Sequence, residues 1–161
     1  MAATGTNNVD SEYAASKGIL VKNVVGYSTE SVVQITFGAI LALVNHTIYF
    51  DNQVKSGEYS KSLHFTDTGR SFSEISGKNF GIIGMGNIGK RVAEIATVFG
   101  ANVMYYSTAG KPHCKKYPAV SLEELLTKCD IVSIHAPLNE KTSNLISMKE
   151  IKLMKPDAIL V

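Results

Sequence analysis

Gly81-Ile82-Ile83-Gly84-Met85-Gly86-Asn87-Ile88-Gly89-Lys90 is the stretch whose reading decides the fold. It sets Gly-x-Gly-x-x-Gly, at Gly84, Gly86 and Gly89, directly after an apolar run and directly before a helical pattern. In that setting the motif reads as a strand–turn–helix unit that receives the pyrophosphate of a dinucleotide. Gly84 permits the tight turn, Gly86 leaves room for the anion, and Gly89 lets the helix pack close to the sheet. The free amides near Asn87 and Ile88 face the anion, and the helix dipole favours its charge. Without those flanks a bare match would read equally well as glycines that only make turns.

Downstream of the motif the pattern alternates. Phe80 to Ile83 reads as a strand. Asn87 to Phe99 reads as a helix, with Ile88, Val92, Ile95, Ala96 and Phe99 at helical offsets and Gly100 as its stop. Val103 to Tyr106 is a second strand, Ser121 caps a short helix, and Ile131 to Ile134 is a third strand. Ser147 caps a helix that holds Met148, Ile151, Leu153 and Met154 before Pro156 breaks it. Ala158 to Val161 opens a fourth strand. The alternation predicts an α/β fold, a Rossmann-like doubly wound parallel sheet with right-handed crossovers. In the order 3-2-1-4-5-6 the ligand crevice lies between strands 1 and 4. With 158–161 counted as strand 4, the sheet is truncated after its fourth strand. The chain then keeps the side that grips ADP, loses the side that places nicotinamide, and leaves an uncovered strand edge.

Upstream, Asp10 is placed to cap a short helix from Ser11 to Lys17 that ends at Gly18, and Ile19-Leu20-Val21 reads as a strand. Ser28 or Thr29 caps a helix running to about Phe50. That helix is apolar on nearly every side, which predicts burial on more than one face, between domains or between subunits. Residues 51–77 read as a long connection with a short helix around Val54.

Composition narrows the function classes. The 161 residues are 45% hydrophobic, enough for a core, and carry a formal charge of +2, which argues against a nucleic-acid partner. The longest apolar stretch, Ser31 to Val44, is too short to cross a bilayer, so no membrane role is expected. No signal peptide is legible. Cys114 and Cys129 have neither metal-ligand spacing nor a disulfide framework, and the expected location is cytoplasmic. No metal ligands are assigned.

A dinucleotide site with a free ribose 2′-hydroxyl usually places Asp or Glu at the end of its second strand. Here Ser107 holds that position, 18 residues after Gly89, within Tyr105-Tyr106-Ser107-Thr108. Serine bonds a hydroxyl and does not repel a 2′-phosphate. Lys111, Lys115 and Lys116 follow, either as partners for such a phosphate or as a solvated loop, so NAD and NADP both stay open. His135 is read as a core histidine with a backbone partner, Cys129 as a small buried hydrophobe, and His46, His64 and His113 are given no chemistry.

Four groups of residues carry a resemblance. They are Ala3-Thr4-Gly5-Thr6-Asn7-Asn8-Val9-Asp10, Gly18 to Asn23 with Tyr27 to Val32, the glycine loop, and Ser133-Ile134-His135-Ala136-Pro137-Leu138. In order and spacing they resemble the D-isomer-specific 2-hydroxyacid dehydrogenases, on the D-lactate dehydrogenase side of the family. The resemblance implies residues 1–24 as the tail of a substrate domain and 25–161 as the first part of an NAD-binding domain. It implies a cofactor site of Gly84, Gly86, Asn87, Ile88, Gly89, Ser107, Ala136, Pro137 and Thr142. It further implies a small 2-keto or 2-hydroxy acid as substrate of the full-length parent, and a homodimer. The family's substrate-gripping arginine and its acid–histidine pair match nothing here, so no catalytic residue is assigned and the chain alone is expected to be inactive. The alternative is a non-catalytic dinucleotide-binding or dimerisation module.

Overall fold

The computed structural model describes residues 5–6, 8–67 and 69–161. Ala3, Thr4 and Asn7, which belong to the first group of the resemblance, lie outside the described residues.

Four strands form one parallel sheet: β1 (Asn79–Ile83), β2 (Asn102–Tyr106), β3 (Ile131–Ile134) and β4 (Ile159–Leu160). Their order is β2-β1-β3-β4. Every pairing is parallel, with Ile83 beside Tyr106 on one side and beside Ile134 on the other. The carboxyl ends of β1, β2 and β3 therefore open on the same edge of the sheet.

Both faces of that sheet are covered. On one face α2 (Thr29–Val44) and α5 (Asn87–Val98) build a core of Val33, Phe37, Ile40, Phe80, Ile82 and Val92. The Phe37 ring stacks between Phe80, at 6.2 Å, and Phe99, at 5.5 Å. On the other face α6 (Leu122–Lys128) brings Leu125 and Leu126 against Ile83, Cys129 and Val132, and Leu145, Ile146, Leu153 and Met154, on either side of α7 (Met148–Ile151), pack on that cluster. Full burial of a side chain such as Ile40 contributes about 2 kcal/mol. A side chain at Gly81 would stand 2.6 Å from Leu125, so α6 packs as closely as the bare main chain of β1 permits.

Three helix starts carry side-chain caps. Asp10 accepts from Tyr13 N at 2.8 Å and starts α1 (Ser11–Ser16). Ser121 Oγ accepts from Glu124 N at 3.1 Å and starts α6. Ser147 and Glu150 form a capping box at α7, and the Ser147 contacts hold the Glu150 carboxyl below the usual range. Buried Cys129 has its thiol pushed up to about 12, as desolvation demands of a small core residue.

Several expectations are corrected. The long helix does not reach Phe50. It ends at Val44, and α3 (Thr47–Lys55) leaves at 65° to it, followed by α4 (Glu58–Lys61). The corner is His46, whose φ of 48° breaks the helix and whose Nε2 meets Ser71 O at 3.1 Å. Among the described residues no single helix is long and apolar enough to cross a membrane. Helix α7 ends at Ile151, short of Leu153 and Met154. Ile19-Leu20-Val21 forms no strand, because no described strand lies alongside to accept its hydrogen bonds.

The sheet order also moves the crevice. Ala119 forms an isolated parallel bridge to Tyr105, with Tyr105 N donating to Pro118 O at 3.0 Å and Val120 N to Tyr105 O at 2.9 Å. That short segment occupies the place of strand 3, so 131–134 is strand 4 of the six-strand order. The switch point is between β1 and β3, and both of its walls belong to this chain. Strand β4 lies one place further out and pairs only with β3 among the described strands.

Only one face of α2 is buried. Val33, Thr36, Phe37, Ile40 and Val44 pack inward, while Ile35 is 73% exposed and Leu43 is 52% exposed.

Candidate functional site

The glycine loop joins β1 to α5, and each glycine meets a different constraint. Gly84 has φ of 94°, and a side chain there would stand 2.7 Å from His135 O. At Gly89 an added Cβ would stand 2.1 Å from Gly84 O, an impossible approach, so the start of α5 touches the end of β1. At Gly86 an added Cβ meets nothing within 4 Å. Two glycines are thus required by the chain itself, whereas the third leaves open space at the helix mouth.

That mouth is uncapped. Gly86 is the N-cap of α5 and offers no side-chain acceptor, and the first turn carries no acid. The amides of Asn87, Ile88 and Gly89 find no acceptor among the described residues, whereas Lys90 N already bonds Gly86 O at 2.9 Å. Unsatisfied amides at the positive end of a helix of 12 residues favour an anion. The residues present therefore fit a pyrophosphate.

The neighbouring loops are pinned to this one. Gly84 N donates to Tyr106 O at 3.0 Å, and His135 N donates to Ile83 O at 2.8 Å. Ser107, at the end of β2, is half-buried and its Oγ donates to Lys111 O at 2.7 Å. Ala136 and Pro137 follow β3 and line a cavity of about 280 Å³ with Ile134, Leu138, Thr142 and Leu145. Thr142 Oγ1 donates to Pro137 O and accepts from Asn139 N at 2.9 Å, which braces the loop after β3. The structure brings Gly84, Gly86, Asn87, Ile88, Gly89, Ser107, Ala136 and Pro137 to one edge of the sheet, with Thr142 behind the last pair. A larger recess, of about 890 Å³, lies elsewhere, between α3, α4 and residues 62, 64–67 and 70–72. Its Asp67 is already engaged by Gly69 N at 2.7 Å and Tyr49 Oη at 2.8 Å.

Two histidines differ from the sequence reading. The partner of His135 is the Ser133 hydroxyl, 2.8 Å from Nε2, rather than a backbone group. Burial pushes its pKa down to about 4. It has no carboxylate beside it among the described residues to raise its pKa toward neutrality. His113, assigned no chemistry from spacing, reaches the glycine loop, with Nε2 2.9 Å from Met85 O. No sequence signal announces that contact, since 28 residues separate the two positions.

Residues 37–161 match the D-isomer specific 2-hydroxyacid dehydrogenase, NAD binding domain. Glyoxylate reductase of Thermococcus litoralis is 38% identical over 99% of this chain and 49% of its own length. D-lactate dehydrogenase of Aquifex aeolicus, solved with NAD and lactic acid, superposes with a TM-score of 0.85 at 34% identity, over 98% of this chain and 46% of that one. An acyclic imino acid reductase solved with NADPH and D-Arg superposes with a TM-score of 0.87 at 32% identity, over 98% and 50%. The chain spans about half the length of the relatives it matches.

Two outcomes follow from the geometry. Gly89→Ala forces the start of α5 off β1 and destabilises the fold by about 1–3 kcal/mol, read as a lowered thermal midpoint, whereas Gly86→Ala stays within about 0.5 kcal/mol of the parent; equal midpoints would refute the close approach. The second outcome concerns pH. His135 titrates near 6.5 when unfolded and about 4 when folded, so in that window the unfolded state binds more protons and stability falls as pH falls. The slope is at most about 1.4 kcal/mol per pH unit. Urea melts across this window should show a shallower pH dependence in His135→Gln than in the parent; parallel curves would place the histidine in water.

Proposed function

The chain belongs to the D-isomer-specific 2-hydroxyacid dehydrogenases through their NAD-binding domain, and from that premise we propose that it is the cofactor-gripping portion of an oxidoreductase interconverting 2-keto acids and D-2-hydroxy acids. The observation that carries the proposal is the uncapped mouth of α5 beside an open Gly86, at the crossover between β1 and β3. A bound nicotinamide dinucleotide supplies or accepts the hydride. The chain's own residues bind and orient it. Asn87 and Ile88 hold the pyrophosphate through main-chain amides, Gly84, Gly86 and Gly89 shape the cradle, and Ser107 stands at the adenosine ribose. Ala136 and Pro137 form the wall after β3, and Thr142 fixes that wall through the Pro137 carbonyl.

No side chain at this edge pairs a histidine with an acid among the described residues, so the 161 residues alone hold a cofactor without turning over a keto acid. Residues 1–24 are read as substrate-domain tail and 25–161 as the first part of the cofactor domain. The free thiols Cys114 and Cys129 accord with a cytoplasmic location. The second reading, a non-catalytic binding or dimerisation module, is favoured by the same lack of a histidine–acid pair, and a measurable turnover would exclude it.

NADH should bind the parent chain in calorimetry. Gly86→Val should abolish that binding with helix content unchanged, because its side chain enters the anion's space while an added Cβ there meets no protein atom within 4 Å. Neither protein should oxidise NADH in the presence of pyruvate. Equal affinities would reject the cradle, and a measurable rate would reject the inactive-chain reading.

The exposed apolar face of α2, with Ile35 and Leu43 uncovered, is proposed to pair with a second copy. Sedimentation should show a dimer that Ile35→Asp converts to monomer; a monomeric parent at a chain concentration high enough to populate an ordinary dimer would rule this out.

A further inference from the structure

Met85 stands between Gly84 and Gly86, in the turn that joins β1 to α5. Its side chain is buried, which holds its Cα in place. The peptide unit that follows it ends at Gly86, a residue type that tolerates almost any φ, so that unit is free to turn over. A trans peptide is planar, with its carbonyl oxygen and amide hydrogen on opposite sides, and turning it over exchanges the two. In the structure the Met85 carbonyl lies 2.9 Å from His113 Nε2 and has no other partner among the described residues. A carbonyl only accepts, so the His113 ring carries a proton on Nε2. The Gly86 amide, on the opposite side of the same plane, finds no acceptor among the described residues.

His113 is itself held. Tyr105 is fully buried on β2, and its hydroxyl accepts from His113 N at 3.2 Å and Cys114 N at 3.1 Å and donates to Cys114 O at 3.2 Å. The His113 ring meets the Tyr105 ring edge-on, with centroids 6.1 Å apart. Ser107 Oγ donates to Lys111 O at 2.7 Å, which takes up slack between the strand and the histidine. A single buried tyrosine thus delivers a donor to the glycine loop from 28 residues away.

We propose that His113 is a positioning residue for the cradle: it holds the Met85–Gly86 peptide in the orientation that leaves the Gly86 amide, rather than the Met85 carbonyl, unengaged at the N-cap of α5. The proposal rests on the reading of the glycine loop as a pyrophosphate cradle. The turned-over peptide sets a carbonyl oxygen where the amide stands, and its partial negative charge opposes phosphate oxygens. Apparent affinity then falls in proportion to the fraction of chains that keep the amide in place.

Calorimetry with NADH on the 161-residue chain tests it, beside an NMR readout of the peptide. His113→Phe, at an exposed position, keeps a ring against Tyr105 and removes the donor. It should weaken NADH binding roughly tenfold, the worth of one hydrogen bond. His113→Gln, whose side-chain amide reaches the same carbonyl, should restore affinity to within about threefold of the parent. The nuclear Overhauser effect between Met85 Hα and Gly86 HN, which reports the direction the peptide faces, should change in His113→Phe and return in His113→Gln. NADH binding as tightly to His113→Phe as to the parent would overturn the proposal and leave the cradle standing. A loss that His113→Gln fails to restore, or one with the Overhauser effect unchanged, would also overturn it. Failure of the parent to bind NADH would overturn the cradle and the proposal with it.

Discussion

The rest of the structure depends on the contact between the start of α5 and the end of β1. An added Cβ at Gly89 would stand 2.1 Å from Gly84 O, so the helix is seated on the main chain of the strand with no side chain between them. That seating points the first amides of α5 along the edge where β1, β2 and β3 all end. It also brings the loop after β3 within reach, because Gly84 in turn lies against His135 O. One close approach thus fixes the cradle, its floor and one wall.

The backbone part of this site is legible in the sequence because glycine reports a backbone requirement directly. Gly84 and Gly89 sit where the chain leaves no room for a side chain, Gly86 sits where it leaves space, and the caps at Asp10, Ser121 and Ser147 start helices as their side chains allow. What the sequence does not show depends on contacts between distant residues. Ile19-Leu20-Val21 has strand composition but no described strand beside it. His46 breaks a helix through its own backbone angle, in a run whose composition favours continuation. The 117–120 segment contains Pro118 and forms a single bridge, too short to read as a strand, and without it the crevice is displaced by one strand.

The histidines illustrate the same limit. His135 follows β3 at the ligand edge, where a catalytic role invites itself, yet its pKa of about 4 and its Ser133 partner make it a neutral structural group. His113 gives no signal in the sequence because its partner is a carbonyl rather than an acid. Neither role is written in spacing, since each is set by which atoms the fold places within hydrogen-bonding reach.

Binding and chemistry are therefore carried by different kinds of group. The cradle uses main-chain amides, whose positions are fixed once α5 is seated, and it tolerates many side chains around it. Proton transfer to a keto acid needs a titratable side chain near neutral pKa, oriented by a partner. The edge between β1 and β3 supplies the first and, among the described residues, none of the second. A cradle built this way offers an anion the main-chain geometry that folding alone provides, and leaves substrate choice to residues that it does not constrain.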